Sequence, residues 1–149
     1  MSFTRIIALD RYNWELCTRI QLAPEQEAYT PSVLYSLAQA KFENLFPFGI
    51  EHKGEMVGMI MYGDFGGICW ISRVVIDQAH QRQGIGFAAV TQMIAMLERK
   101  ISCREIRTSY AKGNLGAAAF FEELGFTKLE EALSDEIVLQ YPVRSKHMY

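Results

Sequence analysis

The stretch that decides the fold is ISRVVIDQAHQRQGIGFAA, residues 71–89. It begins as an apolar run, passes through a loop with two closely spaced glycines, and continues at once in a helical pattern. The N-terminus of a helix exposes backbone N–H groups and partial positive charge, so an anion is stabilised there. Gly84 and Gly86 carry no Cβ and let the backbone approach a phosphate closely, and Arg82 adds a positive charge. The stretch therefore predicts a strand, a phosphate-binding loop and a helix.

Two well-known phosphate-binding patterns do not match this loop. A P-loop requires Lys-Ser or Lys-Thr after its second glycine, and Phe87-Ala88 stand after Gly86. A dinucleotide-binding fingerprint requires a third glycine, where this chain has Ala89. From the pattern alone, a glycine turn before a core helix that binds no ligand remains the alternative.

The chain on either side of this stretch predicts alternating strands and helices. Strands are predicted at residues 3–9, 48–52, 56–62, 68–76, 105–110, 127–130 and 136–141. The order β-α-α-β-β-β-α-β-α-β-β predicts an α/β (α+β) fold, with a mixed central sheet covered by helices on both faces. At 149 residues we expect one domain, residues 1–149.

Four helices are predicted from capping residues and apolar spacing. Asp10 would cap the first, with Trp14, Cys17 and Ile20 buried, and residues 23–29 would be a polar connection. The second would start at Thr30 and Pro31 and end near Asn44, burying Leu34, Leu37, Ala38 and Phe42. The third, residues 84–100, would bury Ile85, Ala89, Met93, Ile94 and Leu97. Asn114 would cap the fourth, which Gly125 closes.

Composition and charge exclude several classes of function. A net charge of −2 argues against a nucleic-acid binder, and no apolar run is long enough to span a membrane. The N-terminus becomes polar too soon for a secretory signal. The three cysteines are odd in number and widely spaced, which predicts buried thiols in a reducing cytosol rather than a disulfide framework or a zinc site. We therefore expect a cytoplasmic protein without a metal, and the sequence leaves a homodimer open.

Two motifs resemble those of the GNAT acetyltransferase superfamily. Gln81-x-x-Gly84-x-Gly86 resembles its Gln/Arg-x-x-Gly-x-Gly/Ala cofactor motif, and the strand Val74-Val75-Ile76 precedes it at the family's spacing. Downstream, Asn114-x-x-Ala117-x-x-Phe120-Phe121-Glu122-Glu123-Leu124-Gly125-Phe126 is similar to the family's second motif. The resemblance covers nearly the whole chain.

The resemblance implies acetyl-CoA as cofactor and a division of labour around it. The backbone of Val74, Val75 and Ile76 would pair with the pantetheine arm like an added strand, and a backbone N–H of Val74-Val75 would polarise the thioester carbonyl. The pyrophosphate would be held by the N–H groups of Gln81, Arg82, Gln83, Gly84, Ile85, Gly86, Phe87 and Ala88. Asn114, Ala117 and Phe120 would touch the rest of the cofactor. The strands at 68–76 and 105–110 would splay so that an amine attacks the thioester between them.

The chain departs from the family at its usual proton donor. Where the second motif has a Tyr that protonates the departing thiolate, this chain has Phe121, which carries no such proton. Three alternatives stay open: the thiolate leaves without a strong acid, Tyr110 substitutes, or the protein is a non-catalytic acyl-CoA-binding module. Candidates for the general base are the carboxylates of Glu25, Glu27, Glu51 and Asp64, of which Glu27 is our candidate catalytic residue.

A subgroup resemblance, to bacterial spermine/spermidine acetyltransferases, suggests the amine. It is carried by residues 24–29, 48–50, 57–62 and 70–73. A polyamine is a multiple cation, and residues 1–66 have a net charge of −3. We expect the polyamine to be bound by carboxylates beside an aromatic ring. The candidate carboxylates are Glu25, Glu27, Glu51 and Asp64, and the candidate ring is that of Tyr29. Another small-molecule amine or a protein N-terminus remains an alternative acceptor.

Overall fold

The fold is a seven-stranded mixed sheet. The computed structural model describes residues 3–133 and 135–143, and the strand order is β1-β2-β3-β4-β5-β7-β6. The strands are β1 Thr4–Ala8, β2 Phe46–His52, β3 Glu55–Phe65, β4 Ile68–Ile76, β5 Glu105–Ala111, β6 Thr127–Leu133 and β7 Glu136–Tyr141. Only β4 and β5 pair in parallel among the described strands. The predicted α/β architecture with a mixed sheet is confirmed.

Helices cover both faces of this sheet. They are α1 Pro24–Glu27, α2 Val33–Glu43, α3 Ile85–Met96 and α4 Leu115–Glu123. Short 3₁₀ helices span Trp14–Arg19 and Gln78–His80, and a π-helical turn, Leu97–Ile101, continues α3. As predicted, the Asn114 side chain caps α4 by accepting from the Ala117 N–H at 3.2 Å.

The core lies in two layers, one on each face. On what we call the α3/α4 side, Met93 and Phe121 pack against Ile60, Ile71 and Ile106 of the strands. On the opposite face, the α2 side, a second cluster joins the first 3₁₀ helix and α2 to three strand residues; its buried members include Cys17, Val33, Met59, Met61 and Val75. Because side chains alternate along a strand, β4 directs Val75 to the α2 side and Val74 and Ile76 to the α3/α4 side.

The predicted start of the second helix is wrong, and its predicted buried face is right only for Leu37, which packs against the core. Its cap is Ser32, whose Oγ accepts from the Tyr35 N–H at 3.1 Å, two residues beyond Thr30. The buried positions are Val33, Ser36 and Ala40, whereas Leu34 and Phe42 are 60% and 84% exposed. A tertiary polar contact sets this rotation, because the Arg73 guanidinium on β4 donates to Ser36 Oγ at 2.7 Å.

The segment between β1 and α2 also differs from the prediction. Asp10 accepts from the N–H groups of Tyr12 and Asn13, so its carboxylate closes a turn instead of capping a helix. The helix that follows is a single 3₁₀ segment, in which Cys17 is buried but Trp14 is 41% exposed. The predicted polar connection contains α1, with Pro24 at its first position.

The prediction of three separate thiols is also wrong. Cys69 on β4 and Cys103, just before β5, form a disulfide rather than staying separate thiols. Parallel pairing places Cys69 opposite Ile106 and brings the two cysteine Cα atoms to 6.1 Å, although 34 residues separate them along the chain. Cys17 is a free thiol, and burial raises its pKa to about 11.

Candidate active site

The two parallel strands at the centre of the sheet separate after a short paired stretch. Pairing joins Ile68, Cys69 and Trp70 of β4 to β5 and then stops. At the point of separation the Thr108 hydroxyl donates to the Ile71 carbonyl at 2.8 Å, and Thr108 is 2% exposed. This side-chain bond satisfies a buried carbonyl that the strand ladder no longer reaches. The expected splay of the central strands is therefore present.

A bulge in β4 lies next to the split. Met61 pairs with Arg73 and Tyr62 with Ile71, so Ser72 has no residue opposite it. Beyond the bulge, residues 73–76 pair with β3 on one edge and have no strand partner on the other among the described residues. This free edge can accept an extended chain as an added strand.

A cleft of about 750 Å³ occupies the split. Both faces of the sheet contribute to its lining. From the α3/α4 side come Val74, Ile76, Gln81, Gly86, Tyr110, Asn114, Ala117, Phe120 and Phe121. From the α2 side come Glu25, Tyr29, Arg73, Ser109 and Glu136. Two reactants could therefore approach from opposite faces and meet between β4 and β5.

At one end of the cleft, the loop before α3 presents unpaired N–H groups. Arg82 and Gly84 adopt left-handed φ angles of 64° and 76°, and the first helical bond joins the Ala88 N–H to the Gly84 carbonyl at 3.1 Å. The N–H groups of residues 82–87 have no acceptor within the described part of the chain. With the Arg82 charge beside them at the start of a 12-residue helix, these groups fit a diphosphate.

This loop, residues 81–87, which we call the phosphate loop, is hydrogen-bonded to the α2 side of the molecule. The Gln81 amide donates to the Ile76 carbonyl at 3.2 Å and to Gln26 Oε1 on α1 at 2.7 Å. Asp77 Oδ1 accepts from the Gln21 N–H at 2.9 Å. Burial opposes ionisation of Asp77, but bonds from the Gln21 and Ala79 N–H groups and from His80 hold its pKa below the ordinary value.

Most predicted cofactor residues lie at the cleft or in this loop. Val74, Ile76, Gln81, Gly86, Asn114, Ala117 and Phe120 line the cleft. Arg82, Gln83, Gly84, Ile85, Phe87 and Ala88 form the loop and the first turn of α3. The side chains of Val75 and Ile85 are buried away in the two cores, so each can contribute only backbone groups.

The predicted acceptor residues are brought together only in part. Glu25 and Tyr29 line the cleft, whereas Glu27 faces a neighbouring depression with Gln21 and Pro31. Glu51 forms an ion pair with Arg5 at 2.8 Å between β1 and β2. Asp64 accepts from the Gly67 N–H at 2.9 Å in the turn between β3 and β4. Glu27, Glu51 and Asp64 therefore lie outside the cleft, and Glu27 does so although it shares α1 with Glu25.

Aromatic packing surrounds the position of the missing proton donor. Phe121 is buried in edge-to-face contact with Phe120 and Phe126, at ring-centroid distances of 5.1 and 5.4 Å. Tyr110 lies on β5 and lines the same cleft as Phe121. Tyr110 thus places a phenol side chain on the wall of the split.

Sequence reasoning missed three polar residues of the α2 side. Arg73 donates to Ser36 Oγ at 2.7 Å, to Gln39 Oε1 at 3.0 Å and to the Ser72 carbonyl at 3.3 Å. Burial lowers the Arg73 pKa, and its described partners are all neutral oxygens. A lone charge within an apolar strand was the available signal for Arg73. The sequence holds no such signal for Ser109 and Glu136, because only the β5–β7 register brings them together.

Comparison with known proteins agrees with this geometry. The family model for the acetyltransferase (GNAT) family matches residues 11–126. A spermine/spermidine N(1)-acetyltransferase of Bacillus subtilis (strain 168) is 28% identical over 116 residues, covering 72% of this chain and 76% of that protein. None of the helices in the described ranges is both long and apolar enough to cross a bilayer.

Solved structures share the fold over nearly the whole chain. The ribosomal-protein-S18-alanine N-acetyltransferase from Escherichia coli superposes with a TM-score of 0.74 at 19% identity, covering 98% of this chain and 99% of that one. The PaiA N-acetyltransferase from Thermoplasma acidophilum, solved in complex with coenzyme A, gives a TM-score of 0.69 at 15% identity and covers 95% and 99%. At these identities the likeness concerns the fold alone.

Proposed function

The chain belongs to the acetyltransferase (GNAT) family, and from this premise we propose that it transfers an acetyl group to a primary amine of a polyamine such as spermine or spermidine. Acetyl-CoA is the cosubstrate and supplies the acetyl group as a thioester. One observation carries the proposal. A single cleft joins a helix end with unpaired N–H groups on the α3/α4 side to a carboxylate and an exposed aromatic ring on the α2 side.

The α3/α4 side supplies the groups for binding acetyl-CoA. The N–H groups of residues 82–87, with Arg82, would hold the pyrophosphate through charge and directed hydrogen bonds. The free edge of β4 at residues 73–76 would bind the pantetheine arm, and a backbone N–H near Val74 would stabilise negative charge on the carbonyl oxygen. Asn114, Ala117 and Phe120 would contact the remaining part.

The α2 side supports a cationic acceptor. The Glu25 carboxylate is exposed and has no cation within 4.0 Å among the described residues. Tyr29, 47% exposed on the same side, presents a ring face that can attract an ammonium group. On α1, Glu25 rather than Glu27 is the carboxylate that supports the proposal, since Glu25 lines the cleft.

For the leaving group we propose Tyr110 as proton donor. Phe121 has no acidic proton, and Tyr110 is a phenol on the wall of the same cleft. Its hydroxyl would protonate the departing thiolate, a general-acid role. The amine would lose its proton to solvent or to a carboxylate of the α2 side.

The test is an acceptor panel. The protein is incubated with acetyl-CoA and spermine, spermidine, a monoamine, an amino acid, an aminoglycoside or a peptide, and thiol release is followed. We expect spermine and spermidine to give the highest kcat/KM. Turnover of another class, with none of polyamines, would refute the polyamine acceptor and leave the acetyltransferase activity in place. Tight coenzyme A binding with no thiol release from any amine would favour a non-catalytic acyl-CoA-binding protein, which Phe121 motivates.

A further inference from the structure

A carboxylate that the sequence did not predict faces the cleft from β7. Glu136 is the first residue of β7 and pairs with Ala111 of β5. Ile106 and Tyr110 of β5 pack with the α3/α4 core, so Ser109, between them, points to the α2 side. Ser109 and Ala111 share a face, and Glu136 lies opposite Ala111, so Glu136 and Ser109 are on the α2 side together.

Ser109 positions the Glu136 carboxylate. Its hydroxyl donates to Glu136 Oε1 at 2.5 Å, a short bond typical of an ionised acceptor. No cationic side chain of the described residues lies within 4.0 Å of Glu136. One carboxylate oxygen is therefore oriented by the protein, and the other accepts no hydrogen bond from the described residues. The Arg73 guanidinium interacts with this carboxylate electrostatically, beyond 4.0 Å.

Glu25 and Glu136 belong to opposite walls of the cleft. Glu25 is on α1, which the bond between Gln26 and Gln81 ties to the chain that follows β4. Glu136 lies on the β5–β7 wall. The two carboxylates thus flank the split from both sides and line one continuous cleft.

The Arg73 guanidinium restricts how a cation can lie in this cleft. Arg73 is on the α2 side of β4, where three neutral oxygens hold it. Its charge repels an ammonium group from the β4 wall, while Glu25 and Glu136 attract ammonium groups at the two flanks. This pattern of charge suits a chain with two separated cationic groups better than one with a single cation.

We propose that Glu136, positioned by Ser109, binds one ammonium group of the acceptor while Glu25 binds another, so that the cleft selects amines with at least two charged nitrogens. This inference rests on the proposed polyamine acetyltransferase function. Glu136 becomes a specificity-determining residue, and Ser109 acts through it as a positioning residue. A monoamine can occupy only one of the two carboxylates and gains nothing from the other.

The experiment compares spermidine with butylamine. For the wild type, Glu25→Gln, Glu136→Gln and the double variant, kcat and KM are measured for both amines, and calorimetry measures spermidine binding to the coenzyme A complex. Each single variant should raise KM and Kd for spermidine about tenfold, since a hydrogen bond to a charged group is lost. The preference over butylamine should disappear in the double variant. Ser109→Ala should raise KM less than Glu136→Gln does, with kcat retained.

The matched control is Glu15→Gln, which neutralises an exposed carboxylate on the first 3₁₀ helix, outside the cleft. It should leave the preference and both constants unchanged. Unaltered coenzyme A affinity in every variant shows that the fold is intact. A Glu136→Gln variant that keeps the full preference for spermidine would overturn the inference while leaving the polyamine function standing. A wild-type protein that acetylates no polyamine would overturn both.

Discussion

The two sides of the cleft offer different kinds of binding groups. On the α3/α4 side, the phosphate loop offers backbone N–H groups from one continuous segment, residues 82–87. On the α2 side, the polar groups are side chains from α1, β4, β5 and β7, distant in sequence. A backbone site depends on local conformation and tolerates changes in side chains, whereas a side-chain site can be altered one residue at a time. The α3/α4 side can therefore stay constant while the α2 side changes acceptor.

The largest effect should come from a charge placed in the phosphate loop. Gly84→Asp puts a carboxylate among N–H groups that would face the pyrophosphate, at a residue with a φ of 76°. Like charges in close contact cost several kcal/mol, so coenzyme A affinity measured by calorimetry should fall about 1000-fold.

The control for this substitution is Gly66→Asp in the β3–β4 turn. Gly66 has a φ of 69°, and a Cβ there would meet nothing within 4 Å, as at Gly84. The control adds the same charge and a similar backbone strain next to the end of β4 that stays paired with β5, away from the split. It should lower thermal stability as much as Gly84→Asp does and leave coenzyme A affinity unchanged. Normal affinity in a folded Gly84→Asp protein would remove the phosphate-loop assignment.

An intermediate effect is expected at Tyr110, where the two sides meet. Tyr110→Phe removes the phenol and should reduce kcat about 100-fold, the low end of general-acid contributions, with coenzyme A affinity unchanged. Phe121→Tyr is the companion variant, and its turnover should stay within a few-fold of the wild type. If Phe121→Tyr raises kcat about 100-fold instead, the enzyme lacks a proton donor and Tyr110 is not one.

The smallest of these effects should follow from Thr108→Val, at the point where β4 and β5 separate. Valine keeps the shape of the side chain but leaves the Ile71 carbonyl without its buried donor. The free energy of unfolding should fall by about 1–3 kcal/mol in denaturant titrations. Thr108→Ser, which retains the hydroxyl, should recover most of this loss. Equal stability of the Val variant and the wild type would show that the bond does not support the split.

The features that the sequence predicted correctly are local in the chain, and the features that it missed depend on contacts between distant residues. The strand at 68–76, the glycine loop, the buried face of α3 and the Asn114 cap are local patterns, and the structure has each of them. The face of α2 failed because Arg73, 37 residues from Ser36, sets its rotation. The Cys69–Cys103 disulfide depends on parallel pairing, and the Ser109–Glu136 contact on the register of β5 with β7. Long-range pairing of this kind leaves no periodic signal in the chain.

The bond between Gln81 and Gln26 has a consequence for how each substrate affects the binding of the other. It couples the loop that would hold the pyrophosphate to α1, which carries Glu25. A ligand that fixes the loop therefore also fixes the helix, and by thermodynamic reciprocity each substrate raises the affinity for the other. We expect spermidine to bind more tightly to the coenzyme A complex than to the free protein, and the affinity for coenzyme A to rise by the same factor when spermidine is bound.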